Sequence, residues 1–210
     1  MSEPMNPTEE ERRLHEARER LEVAREKRAR EWGPITFLLP FYEAVLQAER
    51  ALAASRGEPH TLPWEWPVRS SFSIEPSPLV LTNAMTTKVL YEAVGSTREE
   101  PRMGVLTFDS CASTKLGDPN DEVIEGHPLF GKGIDVGGAY IVQNSPWHQE
   151  LESTNKVHSQ YDPALWRSLK HYLLFFKDHT FECVARSVSG QTVEGSMRHV
   201  STQVLLGLLR

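Results

Sequence analysis

Four side chains in the second half of the chain could carry out acid–base chemistry. They are three histidines and one glutamate: His127, His158, His171 and Glu182. An imidazole ring gains and loses a proton near neutral pH, and a neighbouring carboxylate orients it and stabilises its charged form. A pair formed by Glu182 with His171 or His158 would therefore suit general acid–base catalysis. The alternative is that Glu182 is a solvated glutamate without a chemical role.

The residues around Glu182 have the pattern of a β-strand. In extended structure Glu182 shares one face with Thr180 and Val184. Phe181 and Cys183 share the opposite face, so we expect both to lie in the core. Glu182 then faces either solvent or a cleft.

A second group of residues could bind a metal ion. If residues 147–155 are helical, His148 and Glu152 lie one turn apart on the same face, where both can reach one ion. Imidazole and carboxylate are normal ligands of zinc and iron, and His127, His158 or His171 could supply a third ligand. The alternative is a solvated helix face, with Trp147 and Leu151 turned toward the core.

A glycine-rich segment at residues 126–133 has the spacing of a phosphate-binding loop. The motif requires Ser or Thr after its lysine, but Gly133 follows Lys132 here. The preceding residues are acidic, and no repeated βαβ pattern surrounds them. The sequence therefore favours an ordinary connection, predicts no nucleotide site and leaves any cofactor unknown.

The composition narrows the class of protein. The chain has 210 residues, of which 39% are hydrophobic and 25% are charged, so it can bury a core of useful size. Its net charge of -6 opposes binding to nucleic acid or to an anionic membrane. No apolar run is long enough to span a bilayer. We therefore expect neither nucleic acid nor membrane as a partner.

The start of the chain is acidic and polar, which does not resemble a secretory signal. The sequence contains two cysteines, Cys111 and Cys183. Without an export signal, such thiols are more often reduced than bridged. These features predict a cytoplasmic protein.

Residues 7–32 predict a long charged helix. Acidic residues at 9–11 favour its start, and glutamates precede arginines by four residues along it, as in Glu16 and Arg20. Its apolar stripe is thin, with Leu14, Ala17, Leu21 and Ala24 at heptad-like spacing. Such a helix either lies along its own domain or binds another protein chain.

The remaining patterns predict an α+β fold. A second, more apolar helix is expected at residues 39–55, strands at 70–74, 79–82, 87–94 and 103–108, and a hairpin at 171–186. Proline after a capping residue predicts short helices starting near Ser145 and Asp162, and residues 196–209 predict a terminal helix. We therefore expect a helical N-terminal region at 1–58, and a mainly antiparallel, β-rich domain at 59–210 with short inserted helices and a C-terminal helix.

Several segments between residues 103 and 185 together resemble a family of bacterial hypothetical proteins. They are Asn120-Asp121-Glu122, Gly126-His127-Pro128-Leu129, Asn144-Ser145 with Trp147, His171-Tyr172, and residues 176–183. The family has no assigned activity, so the resemblance implies no catalytic residue. It implies that these polar residues belong to one domain.

Two functions remain open from the sequence, and whether the protein is an enzyme is undecided. The first is a non-enzymatic binding or assembly protein, whose N-terminal helix binds a protein partner or a second copy of the chain. The second is a metal-assisted or acid–base enzyme that acts on a small molecule through the His and Glu residues. The second hypothesis predicts that several of these side chains converge below a cavity.

Overall fold

A computed structural model describes residues 6–209, and these residues form the expected α+β fold. The helices are α1 (Glu9–Glu31), α2 (Leu39–Ser55), α3 (Pro146–Asn155), α4 (Pro163–Ser168) and α5 (Met197–Leu208), with 3₁₀ turns at Ile35–Leu38 and Asp121–Gly126. The strands are β1 (His60–Pro63), β2 (Leu79–Thr82), β3 (Thr86–Glu92), β4 (Arg102–Asp109), β5 (Ser113–Gly117), β6 (Ala139–Gln143), β7 (Lys170–Phe175), β8 (Thr180–Ala185) and β9 (Ser187–Glu194).

The strands form two antiparallel sheets that pack face to face. The five-stranded sheet has the order β1-β6-β7-β8-β5, and the four-stranded sheet has the order β2-β3-β4-β9. The chain passes from one sheet to the other between β8 and β9, where Arg186 donates its backbone N–H to the carbonyl of Asp109. Aromatic side chains from both sheets fill the space between them, including Tyr91, Phe108, Tyr172 and Phe181. This apolar layer is the main core, and it holds the five-stranded sheet rigidly.

The outer face of each sheet is covered separately. Helix α5 packs Val200 against Leu90 and Val105 of the four-stranded sheet. On the five-stranded sheet, α3 and α4 cover Val184, while the segment from residue 121 to residue 134 covers Leu173. A groove is left between these two covers.

The N-terminal helices form a hairpin, as α1 packs its narrow apolar stripe on α2 of the same chain. Thr8 and Glu11 form a capping box at the start of α1. The predicted pairs of glutamate and arginine four residues apart are present, but they are exposed and contribute little stability.

Arg50 connects the helical hairpin to the β-rich body. Its guanidinium is buried and donates to the carbonyl of Gly133 from Nη2 at 3.0 Å and from Nε at 3.3 Å. Thr61 donates to the same carbonyl, and Glu43 pairs with Arg50 Nη1 at 3.1 Å. Removing one partner from such a buried contact costs about 1–3 kcal/mol. The contact therefore fixes residues 127–134 over the sheet. The boundary predicted at residue 58 lies between α2 and β1 and stays a prediction.

The predicted strand at residues 70–74 is wrong. Only Ser70 makes a bridge, to Ala93, and Phe72 has a left-handed backbone with φ 56° that cannot continue a pleated strand. Strands β5, β6 and β9 were not predicted, and β1 was predicted as a connector. Cys183 and Phe181 are fully buried as expected, and both cysteines are free thiols.

Candidate functional site

The register between β7 and β8 places His171 and Glu182 on the outer face of the five-stranded sheet. Val184 lies opposite His171, and Leu173 lies opposite Glu182. Side chains alternate along each strand, so His171 and Glu182 are diagonal neighbours on one face. The sequence left open whether Glu182 faces solvent or a cleft, and the structure places it at the wall of a cavity.

Ser145 reaches the same site from a sharp turn between β6 and α3. Asn144 has a left-handed backbone with φ 51°, which ends the strand. Ser145 follows as the N-cap of α3, and its Oγ accepts a hydrogen bond from the backbone N–H of His148 at 3.1 Å. Because Val142 of β6 lies opposite His171, this turn brings Ser145 to the histidine ring.

His171 lies between Ser145 and Glu182. Its Nδ1 is 2.8 Å from Ser145 Oγ, and its Nε2 is 2.8 Å from Glu182 Oε2. The carboxylate lies off the direction of the ring N–H. The two groups are therefore close enough for an ion pair but do not form a straight hydrogen bond. The His171 side chain is 4% exposed, and its Nε2 keeps hydrogen-bonding capacity that the described residues do not use.

Lys115 and Trp147 complete this side of the site. Lys115 of β5 lies opposite Glu182, with Nζ 3.7 Å from Glu182 Oε1. Its ammonium group also lies over the Trp147 ring, 3.8 Å from the ring centre. The Trp147 ring meets the His171 ring edge to face at 5.1 Å. The Trp147 ring therefore restricts the movement of the imidazole.

His127 approaches from the covering segment. Its Nδ1 accepts a hydrogen bond from the backbone N–H of Leu129 at 3.1 Å, and its ring packs against Phe175. Burial lowers the pKa of His127, the charges of His171 and Lys115 lower it further, and Glu182 acts in the opposite direction. His127 is therefore held neutral, with its proton on Nε2.

Glu182 is held ionised by its neighbours. Burial alone raises the pKa of this carboxyl group. The contact with His171 and the positive charges that His171 and Lys115 carry in the acidic range, where this carboxyl group titrates, outweigh burial, so that the net pKa lies below the ordinary value. The carboxylate can therefore stabilise a proton on His171.

These side chains line one cavity of about 320 Å³. Its wall is made of Pro59, Lys115, His127, Pro128, Leu129, Lys132, Val142, Ser145, Pro146, Trp147, His171 and Glu182. The volume and the mixture of apolar walls with a few polar groups are typical of a small-molecule site. Larger grooves on the helical hairpin and beside Trp64, of about 570 and 710 Å³, lack the pair of His171 and Glu182.

The structure thus brings together three of the four predicted catalytic candidates, His127, His171 and Glu182. His158 lies elsewhere: it is exposed and accepts a hydrogen bond from the backbone of Gln160.

The metal candidates serve the packing of α3 and its neighbours. His148 Nε2 lies 3.1 Å from the carbonyl of Trp166, on whose ring the imidazole stacks. Glu152 accepts a hydrogen bond from the hydroxyl of Tyr161 at 2.5 Å. Within residues 6–209 no group of three or more His, Cys, Asp or Glu side chains is arranged to hold a metal ion.

Ser145 and Lys115 were missed as site residues. Ser145 was predicted only as a helix cap, and Lys115 lies on β5, a strand that was not predicted. The available signal was the short apolar run of β6 followed by Asn144-Ser145-Pro146, which indicates a tight strand-to-helix turn. The segment 126–133 makes turns that lead into β6 and not into a helix, so it is the ordinary connection that the sequence favoured.

Comparisons with protein-family models, with curated proteins and with solved structures find no match to this chain. The resemblance drawn from residues 103–185 therefore stays a prediction. Among the described residues, no helix has the length and apolar character needed to cross a membrane.

The lowered pKa of Glu182 predicts a pH-dependent contribution to stability. The folded state binds fewer protons at Glu182 than the unfolded chain does, so the carboxylate stabilises the fold above its ordinary pKa of 4.5. This contribution is lost as the pH falls through the lowered folded value. Glu182→Gln should therefore reduce the free energy of unfolding at neutral pH, and the deficit should shrink on acidification. Urea denaturation over this pH range measures the effect.

Glu150→Gln, at an exposed position of α3, is the matched control and should show no deficit that changes with pH. A deficit for Glu182→Gln that stays constant across the acidic range would contradict this assignment of the Glu182 pKa.

Proposed function

We propose that the protein is an enzyme that acts on a small molecule in this cavity by acid–base catalysis, with His171 as the proton-transfer group. The observation that carries the proposal is the position of His171, which is 2.8 Å from both Ser145 Oγ and Glu182 Oε2 at the wall of the cavity. The hydrogen bond to Ser145 and the close carboxylate of Glu182 together orient the ring and favour one of its tautomers. Such fixed geometry is what proton transfer in a transition state requires.

Each neighbour has a distinct role in this proposal. Glu182 orients the ring and stabilises the imidazolium that forms when His171 takes up a proton. Lys115 helps to keep Glu182 ionised. Trp147 limits rotation of the ring, and the apolar walls around Leu129 and Val142 exclude water from a bound substrate.

Hydrolysis of small activated esters tests this proposal. The probes are p-nitrophenyl acetate and p-nitrophenyl butyrate, and release of p-nitrophenolate gives kcat/KM. His171→Asn keeps a polar group near Ser145 but cannot act as a base, so we expect kcat/KM to fall about 100-fold or more.

His158→Asn is the matched control, because His158 is exposed and lies outside the cavity. Its kcat/KM should equal that of the wild type. Hydrolysis that is equal in the wild type and His171→Asn, or that is absent in the folded wild type, would contradict the proposal.

A second candidate function is assembly through the helical hairpin, and the exposed apolar side chains of this hairpin favour it. Val23 is 64% exposed, Trp32 is 94% exposed and Phe37 is 37% exposed. Val23 and Phe37 line a groove that also contains Glu16, Glu19, Arg20 and Lys27. Acidic and basic residues in one groove complement each other when two copies pack in opposite directions. The proposed occupant is therefore a second copy of this chain.

The oligomeric state tests this second function. We expect the wild type to be a dimer by native mass spectrometry, and the double variant Val23→Glu, Phe37→Glu to be a monomer, because a charge buried in an apolar interface is costly. Val157→Glu is the matched control on the body, where Val157 is 91% exposed, and it should remain dimeric. A monomeric wild type, or a dimeric double variant, would rule out this interface.

Both proposals assume a cytoplasmic protein, in keeping with the low cysteine content of the sequence. Neither proposal includes nucleic acid, in keeping with the net charge of -6.

A further inference from the structure

The hydroxyl group of Ser145 has two hydrogen-bond partners. Ser145 Oγ accepts from the backbone N–H of His148, which can only donate. Within the described residues, His171 Nδ1 is the other hydrogen-bond partner of this oxygen. The hydroxyl can donate its proton to Nδ1 when that nitrogen carries no proton of its own.

On the opposite side of the ring, the charge of Glu182 favours the tautomer in which Ser145 donates. The carboxylate of Glu182 is ionised and 2.8 Å from His171 Nε2, so it favours a proton on Nε2. With that proton in place, Nδ1 carries the free lone pair, which is the arrangement of a base for Ser145. In this tautomer Ser145 donates its hydroxyl proton to His171 Nδ1.

Ser145 is also placed where negative charge on its oxygen is stabilised. It caps the N-terminus of α3, a helix of 10 residues, where the helix dipole and the N–H of His148 favour an anion. Ser145 is only 5% exposed, but it lines the cavity beside His171. A serine next to a base, at a helix N-terminus and at a cavity wall, has the features of an activated nucleophile.

We infer that Ser145 is the catalytic nucleophile and that the substrates are esters of short carboxylic acids. This role for Ser145 rests on the proposed acid–base function of His171. The cavity has a volume of about 320 Å³ and apolar walls at Pro128, Leu129 and Val142, so the acyl group of the substrate must be short.

The reaction balances with these side chains and water. Ser145 Oγ attacks the ester carbonyl carbon while its proton passes to His171 Nδ1, and Glu182 stabilises the resulting imidazolium. The bond between the carbonyl carbon and the ester oxygen then breaks, and the leaving alcohol takes the proton from Nδ1. Water attacks the acyl-serine and gives a proton to Nδ1. That proton returns to Ser145 Oγ as the carboxylic acid leaves.

Covalent labelling tests this role. Turnover of p-nitrophenyl acetate is stopped with acid, and peptide mass spectrometry locates the acetyl group; a second sample is treated with phenylmethylsulfonyl fluoride. We expect one adduct per chain, on Ser145, in both samples. In His171→Asn, sulfonylation of Ser145 should slow by about 100-fold or more.

Two variants separate the nucleophile from the helix cap. Ser145→Asn keeps a side-chain oxygen that can cap α3 but has no hydroxyl group, so it should remain folded by circular dichroism and form no adduct. Ser153→Ala, at an exposed position on α3, is the control and should be labelled like the wild type.

The role of Ser145 as nucleophile and the role of His171 as base can fail separately. Ester hydrolysis that depends on His171, without an adduct on Ser145 in either sample, would overturn the role of Ser145 and leave His171 as a base that activates water. Labelling of Ser145→Asn as fast as the wild type would also overturn it. Ester hydrolysis that is equally fast in His171→Asn and in the wild type would instead rule out the proposed function itself.

Discussion

The antiparallel register of β7 and β8 is the constraint on which the site depends. Because Leu173 lies opposite Glu182, His171 and Glu182 are diagonal neighbours on the outer face, while Tyr172 and Cys183 face the core. A shift of one residue in either strand would move its site residue into the apolar layer between the sheets. The aromatic core prevents that shift, since it would bury the ionised carboxylate among rings. The same packing that stabilises the fold therefore holds the acid and the base at a fixed separation.

The polar groups on this face offset part of the cost of their burial by contacting one another. His171 is buried between Ser145 and Glu182, and Glu182 in turn lies beside Lys115. Each contact offsets part of the cost of burial, and the cation of Lys115 remains half exposed over the Trp147 ring. The contact between His171 Nε2 and Glu182 is not a straight hydrogen bond, so Nε2 is buried without a hydrogen-bond partner among the described residues. The arrangement is consistent with a site that binds and reacts, because structural polar networks usually satisfy all their atoms.

The sequence predicted the parts of this site better than their arrangement. The hairpin of β7 and β8 was predicted because both strands are apolar runs joined by a short polar turn, and the alternation around Glu182 placed Phe181 and Cys183 in the core correctly. Helix α3 was predicted from Ser145 and the proline that follows it. The contact between Ser145 and His171 could not be predicted, because it depends on the pairing of β6 with β7 across α3 and α4. Strand β6 is a five-residue apolar run whose periodicity does not separate strand from helix.

The position of the proton on His171 tests the account most directly. Long-range ¹H–¹⁵N correlation spectra of the neutral ring report which nitrogen carries the proton, and His171→Asn identifies the signal by its absence. The account predicts a proton on Nε2 and an unprotonated Nδ1 whose ¹⁵N shift changes in Ser145→Asn. A proton on Nδ1 would contradict it, because His171 would then donate to Ser145 and could not act as its base.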